Sequence, residues 1–204
     1  MKITVIGGSK GTGALLAALA HAQGYEVSAL SRRGTAPDGV RVLSGDALDP
    51  EVAHRAVAGA DAVVVTVGGA KGVPRHRAEV TRAVVAALQT AGVRRLVVQS
   101  SLGAGDSGSQ LPGLAGWAMK TLLTKPLADH DEQESAVVGS GLDWTLVRPT
   151  GLTSGPATGQ WRALEPSEPG GLRGSISRHD LAALLLDVLV DESTIGKKLG
   201  VSAR

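Results

Sequence analysis

Apolar residues along this chain fall into short β-branched runs that alternate with stretches of helical spacing. Lys2–Ile6 is the first run, ended by Gly7-Gly8. Over Thr12–Gln23, Leu15, Leu16 and Leu19 recur at helical intervals, and Gly24 stands at a C′ position. Glu26–Leu30 and Val40–Leu43 read as the next strands, the latter followed by Gly45-Asp46. Pro50–Val57 reads as a short helix with Asp49 as N-cap and Pro50 at N1. Ala62–Val67 is continuously apolar, as a parallel strand covered on both faces must be. Val80–Ala91 predicts a helix stopped by Gly92, and Leu96–Gln99 a fifth strand.

Residues 102–116 are rich in Gly and Ser and read as a loop. A helix is expected over about 128–138, ahead of Gly139-Ser140-Gly141. Trp144–Val147 predicts a strand closed by Pro149, and Thr150–Gly171 a long irregular segment. Ser177 caps a last helix, Arg178–Val190, with Asp180 in its first turn. Lys197–Val201 is a candidate final strand. This cadence implies a doubly wound parallel α/β sheet, one Rossmann domain over residues 1–204. Residues 150–175 form its small C-terminal, substrate-side segment.

Composition narrows the chemistry. Hydrophobic residues are 43% and charged ones 20% of 204, which excludes disorder as the main state. No apolar run approaches the roughly eighteen residues of a membrane span. The chain begins directly with a strand, so no leader is expected and the default compartment is the cytoplasm. Cysteine is absent, which excludes disulfides, thiolate catalysis and Cys-ligated metals. The five histidines are scattered, with no HExxH pair, so no metal is expected. Twenty-one cations nearly balance 19 anions, for a net charge of +2. The pI near 9.2 therefore overstates the basic character. With no Lys/Arg tract, no Phe, 3 Trp and 1 Tyr, nucleic acid is not an expected partner.

The first turn, Gly7-Gly8-Ser9-Lys10-Gly11-Thr12-Gly13, carries the strongest signal. Glycines permit tight backbone and close approach to a pyrophosphate, and the helix start behind them offers free N–H groups to that anion. Its position between a first strand and a first helix is the context that gives such a motif meaning. At the end of strand two stands Ser31-Arg32-Arg33, with no acid to bond a ribose 2′-hydroxyl. Two guanidiniums there suit a 2′-phosphate, so NADP(H) is preferred over NAD(H), with Lys10 adding charge. Asp46 and Ala47 are candidate adenine contacts. Gly68 and Gly69 are expected where strand four passes the cofactor.

Together these residues resemble the atypical branch of the short-chain dehydrogenase/reductase superfamily, the group of biliverdin-IXβ reductase/flavin reductase and NmrA-like NADP-binding proteins. Leu30-Ser31-Arg32, Gly45-Asp46, Asp61-Ala62-Val63, Asp129-His130, Ser140-Gly141-Leu142 and Ile176-Ser177-Arg178-His179-Asp180-Leu181 occur in the order of that family. The resemblance implies that Thr12 touches the phosphates, Arg32 the 2′-phosphate and Asp46 the adenine. It places Ser101 beside the nicotinamide, His130 along the cofactor site, and Pro149-Thr150 where the chain passes over the nicotinamide. His130, between Asp129 and Asp131, is expected at a helix start with a raised pKa.

Two departures matter. The Tyr-x-x-x-Lys pair of many relatives is missing: Tyr25 precedes strand two, and Trp117-Ala118-Met119-Lys120 has neither the tyrosine nor the spacing. Where the flavin reductase has a histidine after the strand-six proline, this chain has Gly151. Ser101 and Lys120 are therefore the catalytic candidates. Trp117 and Trp161 either offer planar surfaces to a ring or simply pack. Trp144 and Arg148 are expected to be structural. A delocalised acceptor such as a flavin, quinone or linear tetrapyrrole needs only an oriented nicotinamide and solvent as proton source. The expectation is an NADPH-dependent reductase of a small-molecule acceptor. The alternative is a non-enzymatic NADP(H) sensor of NmrA-like type. A monomer or homodimer is expected, with helices near 72–91 and 115–138 as the candidate pairing surface.

Overall fold

A computed structural model describes residues 1–70, 72–110 and 124–204. The strands are β1 (Lys2–Ile6), β2 (Glu26–Ser31), β3 (Arg41–Ser44), β4 (Ala62–Val65), β5 (Arg95–Gln99), β6 (Asp143–Pro149), β7 (Gly151–Thr153), β8 (Trp161–Leu164), β9 (Ser175–Ser177) and β10 (Lys198–Ala203). The α-helices among the described residues are α1 (Gly11–Ala22), α2 (Pro50–Val57), α3 (His76–Ala91), α4 (Thr124–Val138) and α5 (Arg178–Val190). Eight strands form one sheet in the order β3-β2-β1-β4-β5-β6-β10-β8, parallel except for β8. Strand order reverses between β1 and β4, where Ile3 pairs with Val27 on one side and Ala62 on the other. In such sheets that reversal opens a crevice at the carboxyl ends of the strands.

Side chains alternate across the central strands and so supply two separate cores. Ile3 and Val5 of β1, with Val64 and Val97, meet Leu16 and Ala17 of α1 and Leu181, Leu185 and Val188 of α5. Ile6, Val63, Val65, Leu96 and Val98 face the other way, onto Ala53 of α2, Val84 and Leu88 of α3, and Val137 of α4. Helix α2 starts as its sequence demands: Asp49 accepts from the Glu51 and Val52 amides, with Pro50 behind it. The left-handed Gly92, φ +70°, ends α3.

Helices α3 and α4 pack against each other. Arg82 of α3 reaches Glu132 of α4 at 2.7 Å, and Gln133 donates to the Thr81 hydroxyl at 3.0 Å. The irregular run expected over 150–171 needs correction, because it contains β7 and β8. Trp161–Leu164 lies antiparallel on β10, with Trp161 opposite Ala203 and Leu164 opposite Gly200. β7 pairs with β9, Gly151 opposite Ser175, in a separate two-stranded sheet. Gly and Pro flank both strands and mask a pairing that β10 and β9 decide. Asp180 ties this segment down: its carboxylate accepts from the Thr158 amide and hydroxyl, the Gly159 amide and the Ser177 hydroxyl. Burial pushes that carboxyl up, but the hydrogen bonds outweigh it and hold the pKa below the ordinary range.

Candidate functional site

The carboxyl ends of β1, β2 and β4 surround a cleft of about 410 Å³. Gly7, Ser9, Lys10, Gly11 and Thr12 form one wall. Gly7 (φ +91°) and Gly11 (φ +58°) take backbone conformations that side chains rarely adopt. The residue before α1, Lys10, makes no side-chain cap, and the first turn holds no acid. The unpaired N–H groups and positive end of this helix therefore face the cleft without a resident anion from the chain. Gly13 does not line the cleft. A Cβ there would stand 2.3 Å from Thr66 Oγ1 and 2.4 Å from the Gly7 carbonyl oxygen, so its glycine lets α1 seat against β1 and β4.

Of the two arginines after β2, only Arg32 lines the cleft; Arg33 lies outside it. The turn between them and β3 is set by Ser31, whose hydroxyl accepts from the Thr35 amide at 3.2 Å. Asp46 and Ala47 are in the lining, and Asp46 also accepts from the Leu48 amide at 3.1 Å. Gly68 and Gly69 are in the lining too. A Cβ on Gly69 would stand 2.9 Å from the Arg77 guanidinium.

Ser101, His130, Pro149 and Thr150 lie outside this lining, and Lys120 and Trp117 lie outside the described residues. Ser101 donates to the Leu102 carbonyl at 3.2 Å. Pro149 ends β6 and Thr150 follows it, both buried, and the Thr150 hydroxyl has no hydrogen-bond partner among the described residues. The buried hydroxyl is that of Ser100, which shares strand parity with Leu96 and Val98 and so faces α4. It donates to Glu134 Oε1 at 2.6 Å, and Arg148 donates to both oxygens of the same carboxylate, at 2.9 and 2.6 Å. Asp106 closes on Arg148 at 2.6 Å and on Lys198 at 3.0 Å. Burial lowers the Arg148 pKa, but the Glu134 and Asp106 carboxylates outweigh it and hold the guanidinium charged.

His130 departs from its expected state. It sits inside α4, buried, with Nδ1 3.0 Å from Gln133 Oε1, an arrangement in which Nδ1 donates. Burial, then the Arg77 charge, pushes its pKa down, not up. The flanking acids are committed elsewhere: Asp129 to Arg77 at 3.0 Å and to the Ala78 amide, Asp131 to the Gly105 amide. His130 is thus a neutral imidazole near neutral pH.

Several lining residues were not marked as site residues by the sequence: Thr66, His76, Gln99, Leu152 and Arg178. Gln99 brings a buried Oε1 with no hydrogen-bond partner among the described residues. Arg178 crosses from the far end of the chain. Its Nε lies 3.9 Å from where a Gly11 Cβ would be, and its Nη1 donates to Ser154 Oγ at 3.2 Å. It joins the glycine turn to the substrate-side segment. Its place right after the capping Ser177, at the start of α5, was the available signal. Arg162, Arg173 and Arg204 sit together in a separate recess, away from the cleft. Among the described residues no cluster of three or more His, Cys, Asp or Glu is placed to hold a metal, and no helix is long and apolar enough to cross a membrane.

Residues 7–192 match the model of a family described as NAD(P)H-binding. Among solved structures, the anaerobillin reductase ChuY from Escherichia coli is 27% identical, with all of this chain and 97% of that one covered at a TM-score of 0.84. The oxidoreductase ylbE from Lactococcus lactis is 19% identical, covering 100% and 91%, at 0.84. A short-chain dehydrogenase/reductase from Veillonella parvula in complex with NADP is 21% identical, covering 98% and 94%, at 0.82. The last two likenesses are ones of fold.

Proposed function

Because the chain belongs to the NAD(P)H-binding family, we propose that it is a reductase that takes hydride from NADPH in preference to NADH and passes it to a conjugated acceptor such as a flavin, quinone or linear tetrapyrrole. It has the oxidoreductase fold of ChuY, and that neighbour's activity supports a small-molecule acceptor. The observation that carries the reading is the cleft at the β1–β4 reversal. An uncapped helix N-terminus, left-handed glycines and the guanidiniums of Arg32 and Arg178 share its wall.

The residues present fit a dinucleotide. The glycine turn and the start of α1 would hold the pyrophosphate, with Arg178 facing it. Arg32 would pair with the 2′-phosphate through its fork of donors, with Arg33 adding charge nearby. Asp46 and Ala47 would border the adenine, and Gly68 and Gly69 let the chain pass close. The unpartnered oxygen of Gln99 and hydroxyl of Thr150, at the ends of β5 and β6, suit a carboxamide. Pro149, Ser101 and His130 would form the ground beneath that end. When bound, the nicotinamide supplies the hydride. The protein's own task is to fix its orientation and exclude water, and solvent supplies the proton.

One observation favours a second reading. Among the described residues, Lys10, at the phosphate end, is the one lysine in the cleft lining, and the single tyrosine, Tyr25, is not there. A cleft with no Tyr-Lys pair among its described residues also suits an NADP(H) sensor. An absorbance assay with NADPH or NADH and FMN, run beside a binding titration, separates the two. Turnover that favours NADPH is expected. Failure to bind NADPH overturns both readings, and tight binding with no turnover on flavin, quinone or tetrapyrrole moves the sensor ahead.

A further inference from the structure

Beyond the cleft, three arginines converge on a recess at the β10–β8 edge of the sheet. Arg162 comes from β8, Arg173 from the turn ahead of β9, and Arg204 follows β10. The recess encloses about 580 Å³, with Gly174, Ser175 and Ser202 in its remaining wall. It shares no lining residue with the glycine-turn cleft.

Five arginines of the chain are held by acids. Arg75, Arg77, Arg82, Arg94 and Arg148 each meet a carboxylate. Among the described residues, Arg162, Arg173 and Arg204 pair with no Asp or Glu, and no Asp or Glu side chain lines the recess. The nearest acids in sequence point to other partners: Glu165 pairs with Lys197 at 3.2 Å, and Glu168 accepts from the Glu165 amide at 2.6 Å. The backbone of the preceding turn passes close to one of the three guanidiniums. Gly170, at φ +127°, runs so near Arg162 that a Cβ there would stand 2.5 Å from Nη2 and 3.1 Å from Cζ. Arg162, Arg173 and Arg204 are all solvent-exposed, and three like charges from three separate segments give the recess a positive potential that attracts anions. The planar forks of guanidinium groups match the paired oxygens of carboxylate and phosphate.

We propose that this recess is an anion-binding site for a small molecule carrying at least two carboxylate or phosphate groups, distinct from the cofactor cleft. The inference stands on the charge arrangement and does not depend on the cofactor reading.

Calorimetric titration of the full chain with citrate, and separately with pyrophosphate, tests it. NADPH is kept saturating, so that the glycine turn does not compete. Saturable one-to-one binding of either probe is expected, citrate alone marking a carboxylate site and pyrophosphate alone a phosphate site. Arg162→Gln and Arg173→Gln should each weaken it by about tenfold or more, the loss for a hydrogen bond to a charged group. Thermal unfolding and NADPH affinity should stay unchanged in both variants. If NADPH does not bind, the titration is run without it and Arg32→Ala serves as the control for capture by the cleft. No saturable binding of either probe overturns the proposal. So does binding that survives in the Arg162→Gln/Arg173→Gln double variant, or that disappears in Arg32→Ala alone.

Discussion

Replacing Glu134 by leucine removes the one acceptor that joins α4, β5 and β6. Arg148 has a side chain 0% exposed, and Glu134 is 6% exposed beside it. The substitution leaves the Arg148 guanidinium buried with Asp106 as its remaining carboxylate, and that partner is 54% exposed. It also strands the Ser100 hydroxyl, which donates to Glu134 at 2.6 Å. Breaking a buried pair from one side typically costs about 3–5 kcal/mol, because the surviving charge stays dehydrated. For a chain of this size each kcal/mol lowers Tm by about 2–4 °C, so a fall of roughly 6–20 °C is expected. Urea unfolding should show the midpoint move with the slope unchanged. Adding Arg148→Met should restore most of the loss, since two apolar side chains then replace two charges. A Glu134→Leu loss below about 1 kcal/mol, the range of an exposed pair, would refute the reasoning. So would a double variant no more stable than the single one.

Other expectations follow from the same geometry. Arg32→Ala should weaken NADPH by about 1.5–3 kcal/mol and leave NADH nearly unchanged; equal losses in titrations of both cofactors would sink the 2′-phosphate assignment. Arg178→Ala should weaken NADPH and NADH alike, roughly tenfold or more, because the pyrophosphate it would face in the proposed pose is common to both; a loss confined to NADPH would place it elsewhere. His130 carries a depressed folded pKa, so the unfolded chain binds the extra proton first as pH falls. Its contribution to stability is complete above about pH 6.5 and is lost as pH drops towards the folded value. In denaturant titrations between about pH 5 and 7, His130→Gln should therefore flatten the pH dependence; an unaltered slope would show that His130 is not its source.

The glycine turn was legible because its chemistry is contiguous: strand, turn and helix start occupy a dozen neighbouring positions. The alternation of strand and helix was legible for the same reason, since each element carries its own periodicity. What escaped came from places where a distant partner decides. Trp161–Leu164 is too short and too closely flanked by Pro and Gly to announce a strand, and β10 recruits it. Arg178 belongs to the cleft only because α5 packs beside α1. His130 misled for a physical reason. Its neighbouring acids suggested a charged imidazole, yet Asp129 and Asp131 turn to Arg77 and to the Gly105 amide, which leaves burial to set the titration.

The sheet that separates the two cores also separates their thermodynamics. Leu16 and Leu88 are both fully buried, on opposite sides of a wall of backbone. Two large-to-small changes in one core share a deformable cavity and therefore interact, whereas one on each side has no common neighbour through which to do so. Leu16→Ala and Leu88→Ala should then add to within about 0.5 kcal/mol, and stabilising repacking on one face can proceed without reference to the other. The cofactor cleft lies at the rim of this wall, where α1 and α5 of one layer meet α3 of the other. It is the place where the two otherwise independent halves share a boundary condition.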